Sequence, residues 1–232
     1  MSKFLALFDL DGTLVDSAPD ITNALNLALT GSSLPTVGEK NTRSYIGDGS
    51  KRLVHRAITK TRKGIAETNL FNRVFKEFEN NYAKDVFTRS KTYPHVVDAL
   101  NKLQNYKVCL GCITNKPYDF TIPLLKAAGL FDYFQIILGG DSLPHRKPNP
   151  APIMHAIDEL GGCKKTTVMI GDSITDLNAA KNAGVKSVCV TYGYSGDIDL
   201  AKYKPDKMIN TMDELPSSII SLFECPDKNR LS

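Results

Sequence analysis

The chain has 232 residues, 42% of them hydrophobic and 23% charged, with a net charge of +4, which suits a globular domain carrying a sizeable insertion. The basic residues are scattered and the five cysteines are odd in number, which argues against a nucleic-acid-binding surface and a disulfide framework. The first apolar run, Phe4–Phe8, is too short for a signal peptide, and no run approaches the length of about 18 residues that a membrane span needs, so we expect a cytoplasmic protein.

Apolar runs of strand length alternate with helical patterns along most of the chain. The patterns predict strands at 3–8, 107–113, 134–138, 166–170 and 186–191, and helices at 96–105, 117–128, 150–161 and 174–184. Several of the strands are apolar nearly throughout, which is typical of parallel strands covered on both faces. The alternation therefore predicts an α/β fold with a doubly wound, Rossmann-like parallel sheet.

The interval between residue 16 and about residue 86 breaks the alternation, because it contains no convincing strand. Helical patterns occur near 20–30, 51–62 and 66–84. A connection this long inside a compact domain must have structure of its own. We therefore predict an α/β core domain formed by 1–15 and 86–232, with an all-α domain inserted at 16–85. The last residues, 225–232, are predicted to be a frayed tail.

Polar residues follow three of the predicted strands. Asp9, Asp11, Gly12 and Thr13 follow the first, Thr114 and Asn115 follow the strand at 107–113, and Asp172 and Asp176 follow the strand at 166–170. If these strands are neighbours, the residues converge where open parallel sheets bind ligands. Four carboxylates that close together cannot all stay ionised without a cation. Hard oxygen ligands favour Mg²⁺, and a metal beside hydroxyl groups implies a small phosphorylated ligand.

The spacing of Asp9 and Asp11 suits phosphoryl transfer. Residues two apart on an extended chain point the same way, so both carboxylates can face one substrate. One can attack phosphorus, and the other can protonate the leaving oxygen and later deprotonate a water. Gly12 permits a sharp turn that brings backbone N–H groups to the phosphoryl oxygens. Lys147, just before a proline, is the candidate for charge neutralisation, with Arg146 second.

Four motifs in the chain resemble those of the haloacid dehalogenase-like hydrolase superfamily. They are "DLDGT" (9–13), "ITN" (113–115), "RKPNP" (146–150) and "GDSITD" (171–176). The resemblance implies that Asp9 is the nucleophile and Asp11 the acid and base. It also implies that the insertion is the helical cap that closes over the active site in this superfamily.

The same resemblance implies the roles of the remaining motif residues. Gly12, Thr13, Thr114, Asn115 and Lys147 would bind the phosphoryl group. Mg²⁺ would be bound by Asp9, the Asp11 carbonyl and Asp172, with Asp176 binding directly or through water.

Four further segments are similar to the phosphoglycolate phosphatase subfamily: "DLDGTLVDSAPDI" (9–21), "YIGDGSKRLV" (45–54), "TYGYS" (191–195) and "KPDKMINTMDEL" (204–215). The similarity implies hydrolysis of 2-phosphoglycolate to glycolate and phosphate. We expect the chain to act as a monomer or homodimer. Because the second segment lies in the predicted cap, Gly47, Asp48 and Gly49 are candidate contacts to the substrate.

Other functions remain as alternatives. A broad-specificity sugar-phosphate or nucleotide phosphatase of the same superfamily would share every core motif. Relatives that are phosphosugar mutases tend to have valine where Thr13 stands, and dehalogenases lack the aspartate at Asp11. Response-regulator receiver domains use a similar acidic cluster as a phosphoacceptor, but they are about half this length and have no helical insertion.

Overall fold

The computed structural model describes residues 3–196 and 198–223, so the predicted tail lies outside the described residues. The strands, in chain order, are β1 (Lys3–Phe8), β2 (Val15–Asp16), β3 (Lys91–Thr92), β4 (Cys109–Ile113), β5 (Ile136–Leu138), β6 (Gly162–Gly171), β7 (Lys186–Val190) and β8 (Lys207–Ile209). Six of them form a parallel sheet in the order β5-β4-β1-β6-β7-β8. The predicted parallel α/β sheet is confirmed.

Helices cover both faces of this sheet. In chain order the helices are α1 (Ala18–Gly31), α2 (Glu39–Tyr45), α3 (Ser50–Thr59), α4 (Thr68–Lys84), α5 (Val96–Asn105), α6 (Tyr118–Ala127), α7 (Ala151–Leu160), α8 (Ile174–Ala183) and α9 (Leu215–Leu222). Ala6 and Phe8 of β1 belong to a buried cluster with α5, α6 and α9, whereas Leu5 and Leu7 pack with α7 and α8. Successive side chains of a strand point to opposite faces, so a strand covered twice is apolar throughout.

The helices α1 to α4 pack around a second hydrophobic core, to which Phe120 of α6 also contributes. Leu25, Val54, Phe78 and Tyr82 are among its buried residues. The chain leaves the α/β core through β2 and returns through β3, and these two short strands pair antiparallel. The helical insertion is thus joined to the α/β core by two adjacent connections. Its bounds at 16–85 stay a prediction.

Several elements were not predicted from the sequence. The strand β8 has three residues, of which Lys207 and Met208 are exposed, so it lacks the apolar run that marks the other strands. The strands β2 and β3 have two residues each and arise from their mutual pairing. No helix in residues 3–196 and 198–223 is long and apolar enough to cross a membrane.

Asp20 joins the start of α1 to the segment that returns to the core. It is 2% exposed, and its carboxylate accepts hydrogen bonds from the backbone N–H groups of Arg89 and Ser90 and from the Ser90 hydroxyl. Asp20→Asn should lower the free energy of unfolding by about 1–3 kcal/mol, because an amide cannot accept all of these bonds. Urea unfolding followed by circular dichroism measures this change.

The matched control is Asp98→Asn, because Asp98 is an exposed aspartate on α5. Its substitution should change the free energy of unfolding by less than about 0.5 kcal/mol. An Asp20 variant as stable as this control would show that the carboxylate does not hold the two segments together.

Candidate active site

The polar residues singled out in the sequence meet at one edge of the sheet. The strand β1 lies between β4 and β6, with Phe8 beside Cys112 on one side and Ile170 on the other. Asp9, Thr114 and Asp172 therefore follow three adjacent strands at their carboxyl ends. The three strands are neighbours in the sheet, as the predicted convergence of these residues requires.

Asp9, Asp172 and Asp176 form a buried acidic triad. Each offers a carboxylate oxygen, and these oxygens lie within 4.8 Å of one another. The Lys147 ammonium lies 2.9 Å from Asp9 and 2.6 Å from Asp176. One lysine thus faces three carboxylates, which leaves a negative excess on hard oxygen donors. This donor set suits a divalent cation such as Mg²⁺.

The electrostatics of the triad reflect its burial. Burial raises the pKa of Asp9 to about 6, against the opposing effect of Lys147. Burial, together with the charges of Asp176 and Asp9, raises the pKa of Asp172 well above the ordinary aspartate value. Burial alone would lower the pKa of Lys147, but the nearby carboxylates of Asp176 and Asp9 raise it by more. The net pKa lies above the ordinary lysine value, so this lysine is charged. Keeping these carboxylates ionised and buried therefore costs electrostatic free energy, which a bound cation would offset.

Asp176 also forms part of the N-terminal cap of α8. The Ser173 hydroxyl accepts a hydrogen bond from the Asp176 backbone N–H, and the Asp176 carboxylate accepts bonds from the Ser173 backbone and hydroxyl. This capping box explains why the chain starts a helix there. It fixes the same carboxylate that contacts Lys147 and so makes Asp176 both a structural and a candidate ligand residue.

Gly12 and Thr13 contact the triad from the turn after β1. Gly12 has φ +86°, and a Cβ atom there would lie 2.4 Å from the Asp172 carboxylate, so only glycine fits this turn. The buried Thr13 hydroxyl donates to Asp172 over 3.3 Å. Both residues thus adjoin the acidic triad, and their contribution to phosphate binding stays a prediction.

The carboxylate of Asp11 lies outside the triad and has its own partners. The Lys116 ammonium is 3.1 Å and 3.2 Å from its two oxygens, and the Ser17 hydroxyl donates to one of them. Lys116 is a residue of the site to which the sequence pattern gave no role. The available signal was its position directly after Thr114 and Asn115, at the end of the same strand. Asp9 and Asp11 therefore face different lysines, Lys147 and Lys116.

Thr114 and Asn115 follow β4 and directly precede Lys116. The Thr114 hydroxyl accepts a bond from the Lys116 backbone N–H, which leaves its proton available to a ligand. The Asn115 amide donates to the carbonyl oxygens of Gly47 and Lys147. Asn115 therefore connects the helical insertion to the loop that contains Lys147.

A cavity of about 40 Å³ lies between the sheet edge and the helical insertion, with room for a few water molecules. Its polar lining comes from the strand ends, and its apolar lining comes mainly from the helices. The residues that line it are Asp9, Asp11, Ile21, Ile46, Gly47, Gly49, Ser50, Leu53, Phe78, Tyr82, Thr114, Asn115, Lys116, Pro117 and Phe120. The insertion therefore supplies most of the apolar lining of this cavity.

The three candidate residues of the insertion divide into two groups. Gly47 and Gly49 line the cavity, but Asp48 does not line it. The Asp48 carboxylate instead contacts the Arg56 guanidinium and accepts a 3.4 Å bond from the Thr175 hydroxyl. The role of all three in binding substrate stays a prediction.

Arg146 and Lys147 occupy different environments. Lys147 is 2% exposed and touches the triad, whereas Arg146 is exposed, with its guanidinium beside Gly49. Only Lys147 of the two therefore contacts the acidic triad.

The chain is similar to known proteins over most of its length. Residues 6–190 match the family model described as haloacid dehalogenase-like hydrolase. It is 39% identical to a phosphoglycolate phosphatase of Nitrosococcus oceani, over 91% of this chain and 94% of that protein. It is also 39% identical to a phosphoglycolate phosphatase of Neisseria meningitidis, over 96% of this chain and 94% of that protein. A crystal structure of a predicted phosphoglycolate phosphatase from Haemophilus somnus superposes with TM-score 0.85 at 35% identity, covering 94% and 98% of the two chains.

The acidic triad leads to a prediction about stability. Asp172→Asn should raise Tm in the absence of metal by about 2–4 °C, the effect of roughly 1 kcal/mol in a chain of this size. The pKa of Asp172 is raised in the folded chain, so its ionised form at neutral pH destabilises the fold. Scanning calorimetry at pH 7.5, after treatment with a chelator, measures this difference.

Two controls accompany this measurement. The difference should shrink as pH falls towards the ordinary aspartate pKa, because Asp172 then becomes protonated in the folded and unfolded chain alike. Added Mg²⁺ should raise the Tm of the wild type but not that of the variant, because binding to the folded state stabilises it. An equal response of both proteins to Mg²⁺ would contradict Asp172 as a ligand.

Proposed function

Because the chain belongs to the haloacid dehalogenase-like hydrolase family, we propose that it hydrolyses 2-phosphoglycolate to glycolate and phosphate through an aspartyl-phosphate on Asp9. The observation that carries this proposal is the pair Asp9 and Asp11, whose carboxylates contact separate lysines and line one small cavity. This division suits two different chemical tasks. The identity of the substrate is inferred from the relatives that are named phosphoglycolate phosphatases.

Asp9 is suited to act as the nucleophile. A carboxylate oxygen of Asp9 attacks phosphorus, and the bond from phosphorus to the ester oxygen breaks. Lys147 holds the carboxylate in place and offsets part of its negative charge, which reduces the repulsion of an anionic phosphoryl group. The Thr114 hydroxyl is free to donate to a phosphoryl oxygen at the same strand edge.

Asp11 is suited to move protons. In the first step its carboxyl group donates a proton to the departing ester oxygen, which releases glycolate. In the second step its carboxylate takes a proton from a water molecule that attacks phosphorus, and the bond to Asp9 breaks to release phosphate. Ser17 and Lys116 fix the orientation of the Asp11 side chain for both transfers.

The acidic triad supports Mg²⁺ as the cofactor. Asp9, Asp172 and Asp176 would hold the ion, together with the Asp11 carbonyl that the family resemblance implies. When bound, Mg²⁺ supplies positive charge that offsets the triad and the phosphoryl oxygens. The chain itself fixes the ligands through Thr13, which donates to Asp172, and through the cap of α8.

The lining of the cavity supports a short substrate. The wall of the insertion is apolar, with Ile21, Leu53 and Phe78 among its residues. Sugar hydroxyls buried against such a wall would lose hydrogen bonds to water without replacement. These features favour 2-phosphoglycolate over sugar phosphates and nucleotides.

The substrate assignment predicts a clear order of activities. Phosphate release should be measured with 2-phosphoglycolate, several sugar phosphates, nucleoside monophosphates and pyrophosphate, each with and without Mg²⁺. The value of kcat/KM for 2-phosphoglycolate should exceed every other by about tenfold or more, because the apolar wall offers few partners to the hydroxyl groups of sugars and nucleosides. All activity should require the metal.

Asp9→Asn in the same assay should lower kcat by about a thousandfold or more, because the amide cannot serve as the nucleophile. Asp132→Asn, at an exposed site, is the matched control and should retain wild-type activity. Activity spread evenly over the panel would refute the substrate but not the nucleophile. Appreciable activity of the Asp9 variant would refute the nucleophile.

A further inference from the structure

Lys116 contributes a cationic side chain to the cavity beside Asp11. Its side chain is 5% exposed, and its ammonium lies 3.1 Å from Asp11 and 4.5 Å from the centre of the Tyr82 ring. It supplies the only cationic side chain among the described residues that line this cavity. Lys147 contacts Asp9 and Asp176 instead and does not line the cavity. Lys116 is thus placed to meet a negative charge on a substrate bound in this cavity.

Tyr82 approaches the same point from the helical insertion. It is 1% exposed and lies on α4, and its ring packs against Phe78 and Phe120. The Tyr82 hydroxyl is buried beside the Lys116 ammonium, and its proton has no hydrogen-bond acceptor in residues 3–196 and 198–223. Burial raises its pKa to about 12, so the hydroxyl keeps its proton. A buried donor that lacks an acceptor and belongs to a residue lining a cavity indicates an acceptor atom on a ligand.

The chemistry of the substrate sets where its carboxylate must lie. In 2-phosphoglycolate one CH₂ group separates the carboxylate carbon from the ester oxygen. That ester oxygen takes its proton from Asp11. A group that recognises the carboxylate must therefore lie next to Asp11, and Lys116 is the cation in this position.

We propose that the Lys116 ammonium and the Tyr82 hydroxyl together bind the substrate's carboxylate and so determine specificity for short phosphorylated acids. This assignment rests on the proposed function and adds the residues that select the substrate. Lys116 belongs to the α/β core and Tyr82 to the insertion. Both therefore bind the carboxylate only when the insertion is packed against the core. The surrounding apolar side chains, Ile21, Leu53 and Phe120, exclude water and strengthen the ion pair.

The test compares a substrate that has the carboxylate with one that lacks it. The value of kcat/KM is measured for 2-phosphoglycolate and for ethyl phosphate, in the wild type and in Lys116→Met. The ratio of the two values should fall by about 30-fold or more in the variant, because a desolvated charge pair is lost. Any effect of Lys116 on Asp11 acts on both substrates and cancels in the ratio.

Two further variants complete the experiment. Tyr82→Phe keeps the ring beside Lys116 and removes only the hydroxyl, so the ratio should fall by about fivefold, the effect of one hydrogen bond. Lys126→Met is the matched control, because Lys126 is an exposed lysine that also lies over an aromatic ring, that of Phe131. Its ratio should equal that of the wild type. The Tyr82 variant also covers the case in which the Lys116 variant fails to fold.

The outcomes separate this inference from the proposed function. An unchanged ratio in Lys116→Met would overturn the inference, because the carboxylate would then be recognised elsewhere. An unchanged ratio in Tyr82→Phe would overturn the part assigned to the hydroxyl. A wild type that does not favour 2-phosphoglycolate over ethyl phosphate would overturn the proposed substrate. A fall of the ratio in both variants supports the inference whatever the wild-type preference.

Discussion

The burial of three carboxylates around one lysine is the constraint on which the active site depends. Asp9, Asp172 and Asp176 place ligand oxygens within 4.8 Å of one another, and Lys147 offsets only part of their charge. Such a cluster persists because strong backbone features hold it: a central strand buried on both faces and a capped helix. The remaining electrostatic cost makes the site receptive to a divalent cation and to an anionic group beside it.

The packing of the helical insertion on the α/β core completes the site. Its loop around Gly47 and Gly49 meets Asn115 and Arg146, while Asp48 meets Thr175. Three separate core segments thus contact one loop of the insertion. The two lysines contact different carboxylates: Lys147 pairs with Asp9, and Lys116, which lines the cavity, pairs with Asp11. The proposed reaction and the proposed selection of the substrate therefore use neighbouring but separate groups.

The sequence predicted β1 to the residue, because a strand buried on both faces is a continuous apolar run bounded by Asp9. It also predicted that Asp9 and Asp172 meet, since polar residues after parallel strands share one sheet edge. The three-residue strand β8 was missed because an exposed edge strand has no such run. The pairing of Lys116 with Asp11 and Tyr82 depends on how the insertion packs, which local patterns do not contain.

The central claim is that Asp9 carries the phosphoryl group during turnover. The test uses Asp11→Asn, in which loss of the acid slows formation of the phosphoenzyme and loss of the base lets the phosphoenzyme persist. The variant is mixed with 2-phosphoglycolate and Mg²⁺, quenched in acid and reduced with borohydride, which converts an aspartyl-phosphate to homoserine. Mass spectrometry of the digested chain should find homoserine at position 9. Conversion at another aspartate, or substrate turnover without any conversion, would contradict the account.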